Sequence, residues 1–301
     1  MLVVAEQVGI LLVFALAGYG LAKGRIVNAD HGKTLSGLVL YVFAPCFFLN
    51  TFIGQCTIEY LSTRWPMILV CLGIVVILNP LGYFLGKLLS KDHYERLLLA
   101  YCFITTNYGY FGYPLVKNSF GPDVLLDMMI FAMPLSIWVQ AVAFPMLTSR
   151  DHVSPKNFLN PSILSILLGI ALGISGLKVP SFVTDLLNSA GNCIGPCSML
   201  LMGITLSEYK LKDVLSNPKV YIATVLRLIV IPALIVFVSS FFLPKQWLLI
   251  EAMIFAMPCG MNTVVYPKLI GRDAHLGAGL TMVSSVATLI TLPLWVHILG
   301  G

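Results

Sequence analysis

The chain has 301 residues, 58% of them hydrophobic and only 10% charged, with a mean hydropathy of +0.92. A soluble domain carries roughly 25% charged residues, so water is not the main solvent of this sequence. The formal net charge of +5 comes from Lys and Arg scattered singly or in pairs at the ends of apolar runs, where a bilayer accounts for them, and this sets nucleic acid aside as a partner.

The chain opens on Met1 to Glu6 without a basic region or a small-residue cleavage site, so it is expected to begin the first span and not a signal peptide. A helix needs about 20 mostly apolar residues to cross the hydrocarbon. Hydropathy predicts ten such spans, at 3–22, 34–53, 65–89, 95–117 and 124–147, then at 159–177, 181–206, 218–243, 247–270 and 274–299. The expected fold is therefore all-α and integral to the membrane, with one five-helix unit in 1–150 and a second in 151–301.

The connections after spans 1, 3, 5, 7 and 9 hold Lys23, Arg25, Lys33, Lys87, Lys91, Arg96, Arg150, Lys156, Lys210, Lys212, Lys219, Lys268 and Arg272. The opposite connections hold Arg64, Lys117, Lys178 and Lys245. Positive charge is retained in the cytoplasm, so both termini are expected on the extracytoplasmic side of the cell (plasma or inner) membrane. An even number of spans agrees with termini on one side.

Five spans per unit point the two units in opposite directions, and any echo between them is then an inverted repeat. Phe43-Ala44-Pro45-Cys46 in span 2 echoes Ile194-Gly195-Pro196-Cys197 in span 7. Tyr113-Pro114 followed by Gly121-Pro122-Asp123 echoes Tyr266-Pro267 followed by Gly271-Arg272-Asp273. The seven cysteines, Cys46, Cys56, Cys71, Cys102, Cys193, Cys197 and Cys259, are odd in number and read as small packing residues. No metal site is predicted.

The stretches from Thr105 to Pro114 in span 4 and from Met257 to Thr263 in span 9 carry glycine, proline and asparagine in mid-membrane. Such residues interrupt the helical ladder, which is tolerated where protein or a water-lined cavity meets the freed backbone. Gly109, Gly112, Pro114, Pro258 and Gly260 are the expected break positions. Half-helix N-termini offer unpaired N–H groups to an anion, and half-helix C-termini offer carbonyls to a cation. Asn107, Tyr108 and Gly109 with Asn262 and Thr263 are accordingly the expected solute contacts, although the two asparagines also suit a purely backbone-capping role. Gln140 in span 5 faces the same region if span 5 packs on span 4.

Arg227 is the one basic residue well inside a span, and a mid-membrane charge is a functional candidate by default. It suits a carboxylate through a bidentate pair. It equally suits a snorkelling position or a pair with Glu208. Glu6 and Glu251 fall a turn or so inside the extracytoplasmic ends, and the breaks hold no acid, which argues against a carboxylate-centred proton antiporter. A sodium site built from Thr105, Thr106, Ser284 and Ser285 stands open, as does proton coupling; no organic cofactor is expected. Motifs for nucleophilic hydrolysis, phosphate binding or zinc proteolysis are absent, so an enzyme is not expected.

Val39 to Pro45, Thr106 to Leu115, Met257 to Asn262, and Ser284-Ser285 with Thr291 to Trp295 resemble the auxin efflux carrier family. That family includes bacterial malonate and malate permeases and plant PIN-type auxin exporters. The resemblance implies an inverted-repeat fold like that of bile-acid sodium symporters, in which broken spans 4 and 9 cross. It implies a scaffold of spans 1, 2, 6 and 7, a transport domain of spans 3–5 and 8–10, an elevator-like motion, and a homodimer formed through the scaffold. The function so implied is secondary transport of a small organic anion, a carboxylate such as malonate or malate or an auxin-like acid. The competing expectation is a sensor that binds a ligand on the same fold without moving it.

Overall fold

The computed structural model describes residues 2–53, 55–148 and 161–300. The central connection from Ser149 to Asn157, with Arg150 and Lys156, and the first two residues of predicted span 6 lie outside the described residues. The chain begins with α1 (Leu2–Lys23), α2 (Ala29–Ile53) and α3 (Ile58–Leu89). It then forms α4 (His93–Ile104), α5 (108–120), α6 (Pro122–Phe131) and α7 (Met133–Thr148). The second half holds α8 (Pro161–Ser175), α9 (Ser181–Leu206), α10 (Leu211–Leu215) and α11 (Pro218–Ser239). It closes with α12 (Lys245–Phe255), α13 (Asn262–Leu269) and α14 (His275–Gly300).

Local chemistry sets several of these starts. Asn28, Thr57, Asp92 and Asn217 accept backbone N–H bonds at the heads of α2, α3, α4 and α11, which satisfies donors that have no partner inside the helix. Gly121 and Gly271, the paired glycines of the internal echo, follow the ends of α5 and α13 with φ of 89° and 67°. That backbone region favours glycine.

Among the described residues, six helices, α1, α2, α3, α9, α11 and α14, are long and apolar enough to cross a membrane. The α6–α7 pair, bent by 49°, makes a seventh if it is taken as one span. The ten-span count is not reproduced by this measure. Predicted spans 4 and 9 are each divided by a non-helical stretch, 105–107 or 256–261, into halves too short to cross alone. Predicted span 6 is represented by the 15 residues of α8.

The helices α1, α2, α8 and α9 pack on one another, and α3–α7 pack with α11–α14. The contact of α1 with α9 is close enough to exclude a side chain. A methyl added at Gly18 would stand 2.2 Å from the Leu200 carbonyl oxygen, and one added at Gly203 would stand 1.9 Å from that of Ala15.

Among the described residues, four helices contain a single widened turn, at Val39–Phe43, Tyr108–Gly112, Val139–Ala143 and Leu226–Val230. Each ends two residues before a proline: Pro45, Pro114, Pro145 or Pro232. A proline ring clashes with the carbonyl four residues earlier. Letting the ladder skip to i→i+5 over that carbonyl relieves the clash. Two of the displaced carbonyls find partners on neighbouring helices. Ser198 Oγ donates to Tyr110 at 3.1 Å, and the Trp295 indole donates to Leu228 at 2.9 Å.

Candidate functional site at the helix crossing

The chain after α4 runs extended through Thr105, and the stretch after α12 is non-helical from Ala256 to Met261. The two stretches are tied to each other. Asn107 N–H donates to the Pro258 carbonyl at 2.8 Å, and Thr106 Oγ1 donates to the Ile254 carbonyl at 3.0 Å. The Cys102 and Cys259 sulfurs lie 2.7 Å apart in a thiol hydrogen bond. On the far side, the Cys259 N–H donates to Ser284 Oγ of α14 at 2.9 Å.

Helix α5 resumes at once because the Asn107 carbonyl accepts from Phe111 and Gly112, at 3.2 and 3.0 Å. Helix α13 starts from the Gly260 and Met261 carbonyls in the same way. Both helices begin at the crossing and bring the positive ends of their dipoles to it.

The interruption in the first half is therefore Thr105–Asn107, ahead of the glycines expected to mark it. Gly109 and Gly112 lie in the widened turn and Pro114 in the helix beyond. The widened turn absorbs the misfit of Pro114 without opening the chain. Pro258 and Gly260 fall inside the second interruption.

Arg227 of α11 is fully buried. Its electrostatic neighbours are Cys102, Cys259 and Tyr101, which puts its guanidinium beside the crossing. Nε and both terminal nitrogens have no hydrogen-bond partner among the described residues. The two plainer readings of this residue fail. It does not snorkel, and Glu208 is paired with Lys268. Asn107 is 3% exposed, and its Nδ2 is also without a partner. An unpaired buried charge costs several kcal/mol, so the crossing carries a donor surplus that an anion relieves.

The Asn262 carboxamide lies at the Tyr101 hydroxyl. The buried Thr263 hydroxyl meets the Gly260 carbonyl at 2.8 Å and Thr281 Oγ1 at 3.0 Å, so it is spent on the fold of the break. Tyr108 reaches Ser136 of α7 at 2.8 Å and packs edge-on against Tyr113. Gln140 is half-buried in the widened turn of α7, and no hydrogen bond among the described residues joins it to the crossing.

Of the hydroxyls considered for sodium, Thr105 is buried beside the break and Thr106 is committed to Ile254. Ser284 is held by Cys259 and Leu280, whereas Ser285 turns to Met202 of α9. Ser284 and Ser285 thus serve different neighbours. Sequence reasoning missed Tyr101 and the Cys102–Cys259 contact. Nothing local distinguishes Tyr101, and the cysteines' pairing depends on two breaks meeting from opposite halves of the chain.

The family described as membrane transport protein matches this chain at residues 3–155 and 146–296. The chain is 28% identical over 313 residues to the uncharacterized transporter MJ1031 of Methanocaldococcus jannaschii, covering 98% of both. It is 20% identical over 305 residues to the uncharacterized transporter YfdV of Escherichia coli, covering 96% of this chain and 95% of the relative. An uncharacterized transporter of Methanothermobacter thermautotrophicus is 21% identical over 298 residues, or 96% of each. Matches that run through both halves, and through both broken helices, make this chain a multi-pass membrane transporter of the membrane transport protein family, the auxin efflux carriers.

Proposed function

We propose that the chain is a secondary transporter of a small organic anion, a carboxylate such as malonate or malate or an auxin-like acid. The observation that carries this reading is the buried, unpartnered guanidinium of Arg227 beside the crossing, with the unpartnered Asn107 carboxamide on the adjoining break. A carboxylate accepts two parallel bonds from a guanidinium fork and has lone pairs left for an amide. Asn262, Tyr108 and Gly109 complete the solute surroundings in this proposal, with Thr263 shaping the break beside them through its bonds to Gly260 and Thr281 and Gln140 further out.

The remaining architecture follows the same reading. Ten spans form two inverted five-helix repeats, with α4–α5 and α12–α13 each counted as one broken span. The scaffold is α1, α2, α8 and α9. The other helices move against it as an elevator, with both termini extracytoplasmic in the cell membrane. Helix α8 packs on α2 and leaves Leu164, Leu167, Leu168 and Ile174 exposed, which suits a homodimer through the scaffold.

The test is exchange of labelled carboxylates by purified protein in liposomes. Wild type is expected to exchange at least one of malonate, malate and indole-3-acetate. Asn107→Ala, Asn262→Ala and Arg227→Ala should each weaken exchange while the protein stays monodisperse in detergent. Exchange untouched by all three removes the proposed site.

A further inference from the structure

A second uncompensated charge sits in the bundle that carries Arg227. Glu251 of α12 is fully buried. One carboxyl oxygen, Oε1, accepts from Ser239 Oγ of α11 at 2.7 Å, and the other, Oε2, has no partner. Among the described residues the ion pairs engage Asp30, Asp127, Glu95, Glu208 and Asp273, never Glu251.

The groups around it offer no cation. Helix α3 brings the Cys71 thiol within electrostatic reach. On α6, Asp127 is taken by Arg64 at 3.1 Å and Tyr60 at 2.6 Å. Tyr108, on the widened turn that packs against α12, is bonded to Ser136. His297 of α14 and Lys245 at the head of α12 are exposed.

A hard metal ion gathers about six oxygen ligands. Here a single carboxyl meets one hydroxyl, whose hydrogen is already committed to Oε1. The ligand this site accepts is a proton.

Resting on the transport reading, we propose that Glu251 binds the coupling proton and that the chain carries one proton with each singly charged anion. The argument is one of charge. With the anion on Arg227 and the proton on Glu251, both buried groups are neutralised. With neither ligand bound, the positive Arg227 and the negative Glu251 sum to zero. With only one of the two, the bundle holds a net buried charge, which is expensive to carry through the bilayer. Ser239 and Arg227 stand twelve residues apart on α11, about 18 Å along the helix at 1.5 Å per residue, so the two ligands act through this shared sum without touching.

Two measurements test the proposal. In the infrared spectrum of purified wild type, a protonated-carboxyl stretch that Glu251→Gln removes is expected to grow in as the pH is lowered without solute, and saturating indole-3-acetate, by neutralising Arg227, is expected to bring it in at higher pH; no such stretch at any pH where the protein stays folded overturns the assignment. In liposomes, an alkaline interior should drive initial accumulation of labelled indole-3-acetate by wild type, counted above the passive uptake of protein-free liposomes. The ratio of that accumulation to indole-3-acetate counterflow should fall about tenfold or more in Glu251→Gln, within the usual span of a coupling free energy, and return in Glu251→Asp. A ratio unchanged in Glu251→Gln, or wild type that exchanges the acid but ignores the gradient, overturns proton coupling. Absence of exchange by wild type for malonate, malate and indole-3-acetate instead strikes the transport reading, while the infrared result still decides whether Glu251 holds a proton.

Discussion

Arg227 and Glu251 are both fully buried, and neither has an ion-pair partner among the described residues. Arg227 could be found by eye, because a lone charge inside an apolar run has few bland explanations. What could not be read was its emptiness, since a partner can come from any of several helices. Glu251 reads along the chain as a near-terminal acid, and only the packing of the neighbouring helices makes it a buried one. If Arg227 serves an anion and not the fold, the empty protein bears its cost. Arg227→Met, similar in length and uncharged, should then raise the unfolding temperature in detergent. The gain should be on the order of 1–4 kcal/mol, as when buried ionic groups are replaced by well-packed apolar ones. The same variant should lose the stabilisation that a saturating carboxylate gives wild type. A fall in the unfolding temperature would mark Arg227 as a structural residue with an unrecognised partner.

At the scale of elements, the all-helical character, the approximate positions of the long apolar helices and the existence of two breaks were legible, because hydropathy, proline and glycine are local signals. The location of the first break was not. Gly109, Gly112 and Pro114 look like the interruption, yet the widened turn before Pro114 lets the helix run through them. The same device precedes Pro45, Pro145 and Pro232, whereas Pro66 and Pro80 lie in α3 without it. Proline alone therefore does not select it. Where a neighbour fills the displaced carbonyl, that neighbour is needed. Trp295→Phe keeps an aromatic side chain but removes the indole N–H that donates to Leu228, and should destabilise the protein by about 1–3 kcal/mol from the buried acceptor left alone, with any loss of packing adding to it. Glycines give a sharper contrast within α1. Gly18→Ala drives a methyl into the Leu200 backbone and should cost about 1–3 kcal/mol. Gly20→Ala meets nothing within 4 Å and should be neutral or gain up to about 1 kcal/mol. Thermal unfolding of the two variants side by side checks the α1–α9 contact.

For the whole molecule, the polar ties fall into two kinds. Arg64–Asp127 and Lys219–Glu95 join helices within the α3–α7 and α11–α14 bundle. Lys117 and Lys268 instead reach out of it to the flank of α9. Lys117, in the last turn of α5, donates to Asn188 and Asn192 at 2.8 Å each, and Lys268, in the last turn of α13, pairs with Glu208. Asn192 lies near the middle of α9 and Glu208 two residues past its end, sixteen residues or about 24 Å apart along a helix, so the tips of the two broken helices are fastened at well-separated points of the same partner. A bundle that slides along α9 must release both contacts, whereas a rigid molecule keeps both. The Lys268–Glu208 pair is more than a third exposed and worth about 0–1 kcal/mol, so Glu208→Gln should change the exchange rate by no more than about fivefold. A covalent tie is decisive. In a chain whose half-buried Cys46, Cys193 and Cys197 are serine, Lys117→Cys with Asn192→Cys should be joined by a bifunctional methanethiosulfonate reagent long enough to replace the reach of the lysine. Exchange of the labelled carboxylate should stop on crosslinking and return on reduction, while either single cysteine is unaffected by the reagent. Full exchange by the crosslinked protein would show that the tip of α5 and the flank of α9 travel together, and the moving boundary would then have to lie elsewhere in the fold.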